Sequence, residues 1–83
     1  MGRLQGKIAL ITGGAGEVGV ATARKFVEEG ARVLLADLGQ DALEKAAAEF
    51  GEAAAVCVAD VTRPEDNERM VQAAEEAFGG LDI

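Results

Sequence analysis

Short apolar runs alternate with amphipathic stretches along this chain. Three runs rich in alanine, valine, leucine and isoleucine are typical of strands that are buried on both faces of a parallel sheet. Between them, apolar positions recur every three or four residues, which is the spacing of an amphipathic helix. The pattern predicts strands at about 7–12, 31–36 and 54–59, and helices over 18–29, 41–50 and 63–78.

The predicted helices have apolar faces and recognisable ends. Glycine follows each helix, at Gly30, Gly51 and Gly79, where it can adopt the left-handed conformation that ends helices. Thr62 and Glu65 have the spacing of a capping box, with proline in the first turn, so Thr62 is expected to cap the third helix. The predicted apolar faces consist of Val18, Thr22, Ala23, Phe26 and Val27; Leu43, Ala46, Ala47 and Phe50; and Met70, Val71, Ala74 and Phe78.

Alternating strands and helices predict a parallel sheet with right-handed crossovers. Residues 81–83 are expected to start a fourth strand that returns beside the first, which places the third helix on the opposite face from the other two. The predicted fold class is therefore α/β: an incomplete, three-layer, Rossmann-type doubly wound parallel sheet (β-α-β-α-β-α plus the start of a fourth strand). Its ligand crevice is expected at the carboxyl ends of the first and fourth strands, where the strand order reverses.

The short fourth strand should leave one edge of the first strand and much of one sheet face uncovered. Exposed edges and large apolar patches promote association. We therefore expect the 83-residue chain to be unstable alone, to form a homo-oligomer, or to be a piece of a longer protein.

Composition excludes several classes of function. The net charge of −7 opposes binding to nucleic acids or anionic membranes, which requires clustered lysine and arginine. No apolar stretch reaches the roughly 18 residues of a membrane-spanning helix, and the amino terminus is too polar for a signal peptide. The expected location is the cytoplasm. The chain has no histidine, which excludes catalysis or metal ligation by that residue.

A glycine-rich loop joins the first strand to the first helix. Residues 14–19 (GAGEVG) fit the dinucleotide fingerprint G-x-G-x-x-G, and residues 12–19 also fit T-G-x-x-G-x-x-G, with glycines at 13, 16 and 19. In either register an early glycine makes the turn, a middle one admits a pyrophosphate, and Gly19 allows close packing of the helix on the sheet. The alternative is a glycine-rich turn without a ligand.

Glu17 is unusual in such a loop. An acidic side chain in the first helical turn suits the helix dipole, but it should repel a pyrophosphate. We expect the Glu17 side chain to turn toward solvent while its backbone N–H still donates; otherwise cofactor binding is weakened.

Two acidic residues follow the next two strands. Asp37 can accept both ribose hydroxyls of an adenosine and would repel a 2′-phosphate by about 1–4 kcal/mol. Leu38 follows it rather than a basic residue, so NAD is expected over NADP. Asp60 can accept from the adenine amino group, and the backbone of Val61 can meet the ring. The alternatives are that Asp37 caps the second helix and that Asp60 only helps to start the third.

Together these residues resemble the short-chain dehydrogenase/reductase family. The resemblance rests on residues 4–14 (LQGKIALITGG), 29–33 (EGARV) leading to Asp37, 60–62 (DVT) and 78–83 (FGGLDI). The layout is similar to the compact members, whereas the glycine spacing is similar to the extended members, because Glu17 replaces a usual glycine. The resemblance implies a pyrophosphate site, a ribose site and an adenine site. Their residues are Gly13, Gly16, Glu17, Val18 and Gly19; Asp37; and Asp60 with Val61, and Leu38 beside Asp37 is a further candidate cofactor-binding residue.

The family also implies a catalytic serine and a Tyr-x-x-x-Lys pair farther along the chain. This sequence has no tyrosine, and Lys7, Lys25 and Lys45 lie in positions unrelated to that motif. No catalytic residue and no metal ligand is assigned, and the chain is predicted to be inactive alone.

The leading hypothesis is the NAD-binding amino-terminal portion of an oxidoreductase that transfers a hydride between nicotinamide and a small alcohol or ketone. The alternatives are a non-catalytic adenosine-binding module that completes its sheet with a partner chain, and a self-associating fragment without activity.

Overall fold

A computed structural model describes residues 3–83. Strands and helices alternate as the apolar pattern predicts. The elements are β1 (Ile8–Thr12), α1 (Glu17–Glu28), β2 (Arg32–Asp37), α2 (Gln40–Ala48), β3 (Ala54–Val58) and α3 (Pro64–Phe78). Helix α2 ends at Ala48 rather than at Phe50, because the chain turns there into a short 3-10 helix over Gly51–Ala53.

Over the described residues, β1, β2 and β3 form a parallel sheet in that order. Leu34 at the centre of β2 pairs with Leu10 of β1 and with Ala55 of β3. Four consecutive residues of β2, 33–36, are buried, which explains why this strand is continuously apolar instead of alternating.

Helices cover both faces of the sheet, so the predicted doubly wound α/β fold is confirmed. Helices α1 and α2 pack on one face around Val33, Leu35 and Leu43. Helix α3 packs on the other face, where Met70 contacts Ala36 and Ala59. Because α3 alone covers this second face among residues 3–83, Leu10 stays only half-buried there.

Two predicted core positions are wrong. Val18 and Val71 were placed on the apolar faces of α1 and α3, but they are 81% and 43% exposed. In α1 the buried positions are Gly19 and Ala23, so Val18 in the first turn lies outside the buried face. In α3 the buried positions are Asp66, Met70 and Ala74, so the buried face is rotated away from Val71 and includes a carboxylate.

The predicted cap of α3 is also wrong. The helix begins at Pro64 after Arg63, and no side chain caps it. Thr62 lies one residue too early, and its hydroxyl donates instead to the Asp60 carboxylate at 2.6 Å. At the other end, Gly79 adopts φ +89° and ends the helix as predicted.

Residues 81–83 run along the free edge of β1. The Ile8 carbonyl accepts from the N–H groups of Asp82 and Ile83, and the Ile83 carbonyl accepts from Leu10 at 3.0 Å. The Ile8 N–H donates to the Asp82 side chain at 2.9 Å, where a regular ladder would use a backbone carbonyl. The predicted fourth strand is thus an irregular segment in the predicted place, beside β1.

None of the helices within residues 3–83 combines the length and the apolar character needed to cross a bilayer.

Candidate functional site

The loop between β1 and α1 turns back over the end of β2. Gly13 makes the turn with φ +67°, and the Gly14 N–H donates to the Ala36 carbonyl at 3.0 Å. A Cβ on Gly14 would lie 2.8 Å from that of Leu35, closer than side-chain atoms approach one another. The loop therefore rests directly on the central strand, and Gly14 is needed for this contact.

Gly19 is required for a different contact from the predicted one. A Cβ on Gly19 would lie 2.2 Å from the Gly13 carbonyl oxygen, so the glycine packs α1 against the loop backbone rather than against the sheet. A Cβ on Gly16 would meet the same oxygen at 3.5 Å, an ordinary contact. Contacts within the chain therefore explain glycine at position 19 but leave position 16 unexplained.

The amino terminus of α1 presents backbone donors at the mouth of this loop. Gly16 precedes the helix without a side-chain cap, and its carbonyl accepts from Val20 at 2.9 Å. Helix geometry leaves the N–H groups of Glu17, Val18 and Gly19 without intrahelical partners, and the helix dipole adds positive potential there. The side chains of Glu17 and Val18 are exposed.

Asp37, at the end of β2, accepts hydrogen bonds from residues that follow each of the three strands. Its carboxylate accepts from the N–H groups of Ala15, at 3.1 Å, and of Leu38, at 2.8 Å. Its carbonyl accepts from the Ala59 N–H at 2.9 Å. The alternative that Asp37 caps α2 is wrong, because Gly39 precedes that helix and no side chain caps it.

Asp60 lies at the end of β3 in a tight hydrogen-bonded turn. Its Oδ1 atom accepts from the hydroxyl of Thr62 at 2.6 Å and from its N–H at 2.9 Å. These bonds, with a smaller contribution from the nearby charge of Arg63, lower the pKa of the Asp60 carboxyl below its ordinary value. The carboxylate is therefore held ionised and available as an acceptor.

The pKa of Asp60 gives a direct test of this turn. Replacing Thr62 with valine removes the hydroxyl, the largest cause of the lowered pKa, so the pKa of Asp60 should rise. The lowered pKa stabilises the folded chain above the ordinary pKa, and this contribution is lost as pH falls through the lowered value. Carboxyl NMR titration of Asp60 in both chains measures the change. An unchanged pKa would contradict the bonding described.

The predicted site residues converge on one edge of the sheet. A cleft of about 290 Å³ between the three loops is lined by Gly13, Ala36, Asp37, Leu38, Ala59, Asp60, Val61 and Thr62. Leu38 and Val61 are 69% and 49% exposed at the cleft. The other predicted residues, Gly16, Glu17, Val18 and Gly19, lie on the α1 side, joined to the cleft by the bond from Ala15 to Asp37.

Sequence reasoning missed three residues that build this edge. Gly14 was read only as part of a register, although glycine is needed against Leu35. Ala15 contributes a backbone N–H, which no side-chain pattern reveals. Asp66 accepts from the Asp60 N–H at 2.8 Å. The sequence signal for Asp66 is an acidic residue at the third position of α3, next to the Glu65 of the predicted capping box.

The arrangement brings together groups of the kinds that nucleotide sites use. It offers backbone donors for an anion, a carboxylate for hydroxyl groups, and exposed apolar side chains beside a second carboxylate for an aromatic ring. Within residues 3–83, no three acidic or cysteine side chains come together as a metal site.

The sequence model of the short chain dehydrogenase family matches residues 7–83. Among curated proteins, the chain is 45% identical over 82 residues to 2,5-dichloro-2,5-cyclohexadiene-1,4-diol dehydrogenase LinX of Sphingobium indicum, covering 95% of this chain and 33% of that protein. It is 42% identical over 81 residues to galactitol 2-dehydrogenase of Agrobacterium fabrum, covering 98% of this chain and 32% of that protein. The chain thus spans about a third of the length of these relatives.

Solved structures give the same result. The chain superimposes on the 3-ketoacyl-(acyl-carrier-protein) reductase of Brucella melitensis, crystallised with NADH, with a TM-score of 0.90 and 38% identity, covering 95% of this chain and 33% of that one. A glucose/ribitol dehydrogenase-type short-chain dehydrogenase/reductase from the same organism gives a TM-score of 0.88 at 36% identity, covering 95% and 34% of the two chains. The chain therefore belongs to the short-chain dehydrogenase family.

Proposed function

We propose that this chain binds NAD and is the nucleotide-binding portion of an NAD-dependent oxidoreductase. The observation that carries the proposal is the convergence of the glycine loop, Asp37 and Asp60 on one cleft at the carboxyl edge of the sheet. Ligands of open parallel α/β sheets bind at this edge.

The pyrophosphate is proposed to bind at the amino terminus of α1. The first-turn N–H groups there have no partner within the helix, and Gly16 carries no side chain over them. The exposed Glu17 carboxylate repels the pyrophosphate, and the backbone N–H groups supply the attraction. We expect binding by this chain alone to be weak, because the adenosine half of a dinucleotide makes only part of the contacts.

The adenosine ribose is proposed to bind at Asp37, whose carboxylate oxygens have further acceptor capacity beside the bonds to Ala15 and Leu38. A 2′-phosphate would meet this negative charge with no lysine or arginine lining the cleft, which favours NAD over NADP. Adenine is proposed to lie between Leu38 and Val61, with its amino group donating to Asp60.

The whole oxidoreductase is proposed to transfer a hydride between nicotinamide and a small alcohol or ketone. The names of the relatives, a cyclohexadienediol dehydrogenase and a galactitol dehydrogenase, support a CH–OH substrate. The nicotinamide supplies the hydride acceptor or donor when bound. The residues of this chain hold the adenosine end, and the sequence contains no tyrosine to move the proton.

A second candidate is a non-catalytic nucleotide-binding module that completes its sheet with a partner chain, and the irregular pairing of residues 81–83 with the edge of β1 favours it. The oxidoreductase portion and the non-catalytic module are both expected to bind a nucleotide, but the module would catalyse no reaction in any assembly. Both differ from an inert fragment, which would bind no nucleotide.

The test is a titration of the ¹⁵N-labelled chain with NAD, AMP and NADP, followed by amide chemical shifts. NAD should shift Glu17, Val18 and Gly19 together with residues 37–38 and 60–61, and it should bind more tightly than NADP. The amides of Gly51–Ala53 serve as the control, because these residues precede β3 and lie at the amino ends of the strands. Their chemical shifts should not change.

The absence of shifts at millimolar NAD would refute the proposal and favour the inert fragment. A separate assay of NADH oxidation with a panel of ketones should show no turnover by this chain, and turnover above a blank would contradict the absence of catalytic residues.

A further inference from the structure

Helix α3 has a buried carboxylate beside the end of β3. Asp66 is 9% exposed and occupies the third position of the helix. Its Oδ2 atom accepts from the Asp60 backbone N–H at 2.8 Å, so the bond joins the helix to the end of the neighbouring strand. A buried charge is costly unless it is hydrogen-bonded and paired, and Asp66 has both forms of compensation.

Arg69, one turn farther along the same face, completes the link. Its Nη1 atom lies 3.4 Å from the Asp66 carboxylate, and its Nη2 atom donates to the Val58 carbonyl. The two side chains therefore hold the backbone on both sides of Ala59. We call Asp66 and Arg69 the strand-end clamp.

The strand-end clamp bonds to the backbone N–H of Asp60. The Asp60 side chain is not part of the clamp and stays available to a nucleotide. The Asp60 N–H is bonded to Asp66, whereas within residues 3–83 its carboxylate accepts from Thr62 alone, and Asp60 lines the cleft. The path from the clamp to the cleft is thus a single residue, and a change at Asp66 acts on the cleft through Asp60.

We propose that Asp66 and Arg69 are positioning residues that hold Asp60 and Val61 where the adenine ring binds. This inference rests on the proposed function, since it assumes that Asp60 accepts from the adenine amino group. A purely structural role would be to fasten α3 to the sheet, without any effect on which base is bound.

The readout that separates these roles is the preference for adenine over hypoxanthine. Hypoxanthine replaces the amino group of adenine with a carbonyl oxygen, which would face the Asp60 carboxylate without a proton between them. NMR titration of the chain with NAD and with nicotinamide hypoxanthine dinucleotide gives two dissociation constants. Their ratio should favour NAD by about tenfold or more in the unaltered chain, the usual effect of a hydrogen bond to a charged group.

Four variants complete the experiment. Asp66→Ala and Arg69→Met should each reduce the preference for NAD over the hypoxanthine analogue, because each removes a bond that holds the end of β3. For Asp66→Ala, the two dissociation constants should differ by no more than about threefold. Asp66→Asn keeps an oxygen for the Asp60 N–H and should restore most of the preference. Glu68→Ala removes an exposed carboxylate from the same helix and should leave the ratio unchanged. If Asp66→Ala fails to fold, the exposed Arg69 carries the test.

Three results would overturn the proposal. If the folded clamp variants lose stability but keep the full preference for NAD, the clamp is structural only. If the unaltered chain binds NAD without preferring it over the hypoxanthine analogue, the adenine contact of Asp60 fails and the positioning role fails with it. If the unaltered chain binds neither dinucleotide, the proposed function itself is refuted.

Discussion

Replacing Gly19 with alanine should lower the free energy of unfolding by about 3 kcal/mol, the upper end of the usual cost of overpacking. The new Cβ would lie 2.2 Å from the Gly13 carbonyl oxygen, 2.9 Å from the Gly14 Cα and 3.0 Å from the Gly13 carbonyl carbon. All three are backbone atoms of a loop that lies on β2, so no flexible side chain can move aside. A domain of this size has a total stability of about 4–12 kcal/mol, so the loss would be large.

Urea denaturation followed by circular dichroism measures this effect. Gly80→Ala is the matched control, because a Cβ there meets nothing within 4 Å, and it should change stability by less than about 0.5 kcal/mol. Gly16→Ala places its Cβ in ordinary contact at 3.5 Å, so it should cost about 1 kcal/mol or less. A loss below about 1 kcal/mol for Gly19→Ala would show that the loop can move away from α1.

Replacing Asp37 with alanine should weaken NAD binding by at least about tenfold and also disorder the glycine loop. The carboxylate is both the proposed ribose acceptor and the acceptor for the Ala15 N–H, so its removal leaves that part-buried donor unpaired. An unpaired buried donor costs about 1–3 kcal/mol. The amide of Ala15 should therefore shift and exchange faster with solvent even without nucleotide.

Asp37→Asn separates the two roles of this carboxylate. Asparagine keeps one oxygen for the Ala15 N–H but removes the negative charge, so the loop should stay ordered while the preference for NAD over NADP falls. NMR titrations with both cofactors give the ratio of their dissociation constants. If the asparagine variant kept the full preference, the charge of Asp37 would not be its source.

The order of the elements could be predicted from the sequence because burial imposes a local pattern. A strand buried on both faces must be apolar throughout, as residues 33–36 are, and a helix on a sheet must be apolar on one side. The positions of Asp37 and Asp60 followed from the same reasoning, since each comes directly after a buried strand. The resemblance to the family, which rests on residues 4–14, 29–33 with Asp37, 60–62 and 78–83, was confirmed.

The partners of those residues could not be predicted, because they depend on distances across the fold. Val18 continues the apolar spacing of α1, yet it is exposed because the buried positions of this helix are Gly19 and Ala23. Thr62 has the spacing of a cap, but its hydroxyl donates to Asp60 and no side chain caps α3. Local spacing does not say which of two acceptors or donors is closer in space.

The sequence by itself determined the parallel α/β fold, the edge of the sheet where the candidate site lies, and the two carboxylates there. Only the tertiary structure decided that Gly19 is required by the Gly13 carbonyl, that Asp37 holds the loop through Ala15, and that Asp66 holds Asp60. The physical reason is that apolar periodicity shows which side of each segment is buried, whatever particular atoms it packs against. A hydrogen bond or a close backbone contact depends on the position of a few particular atoms, which is set when the segments pack.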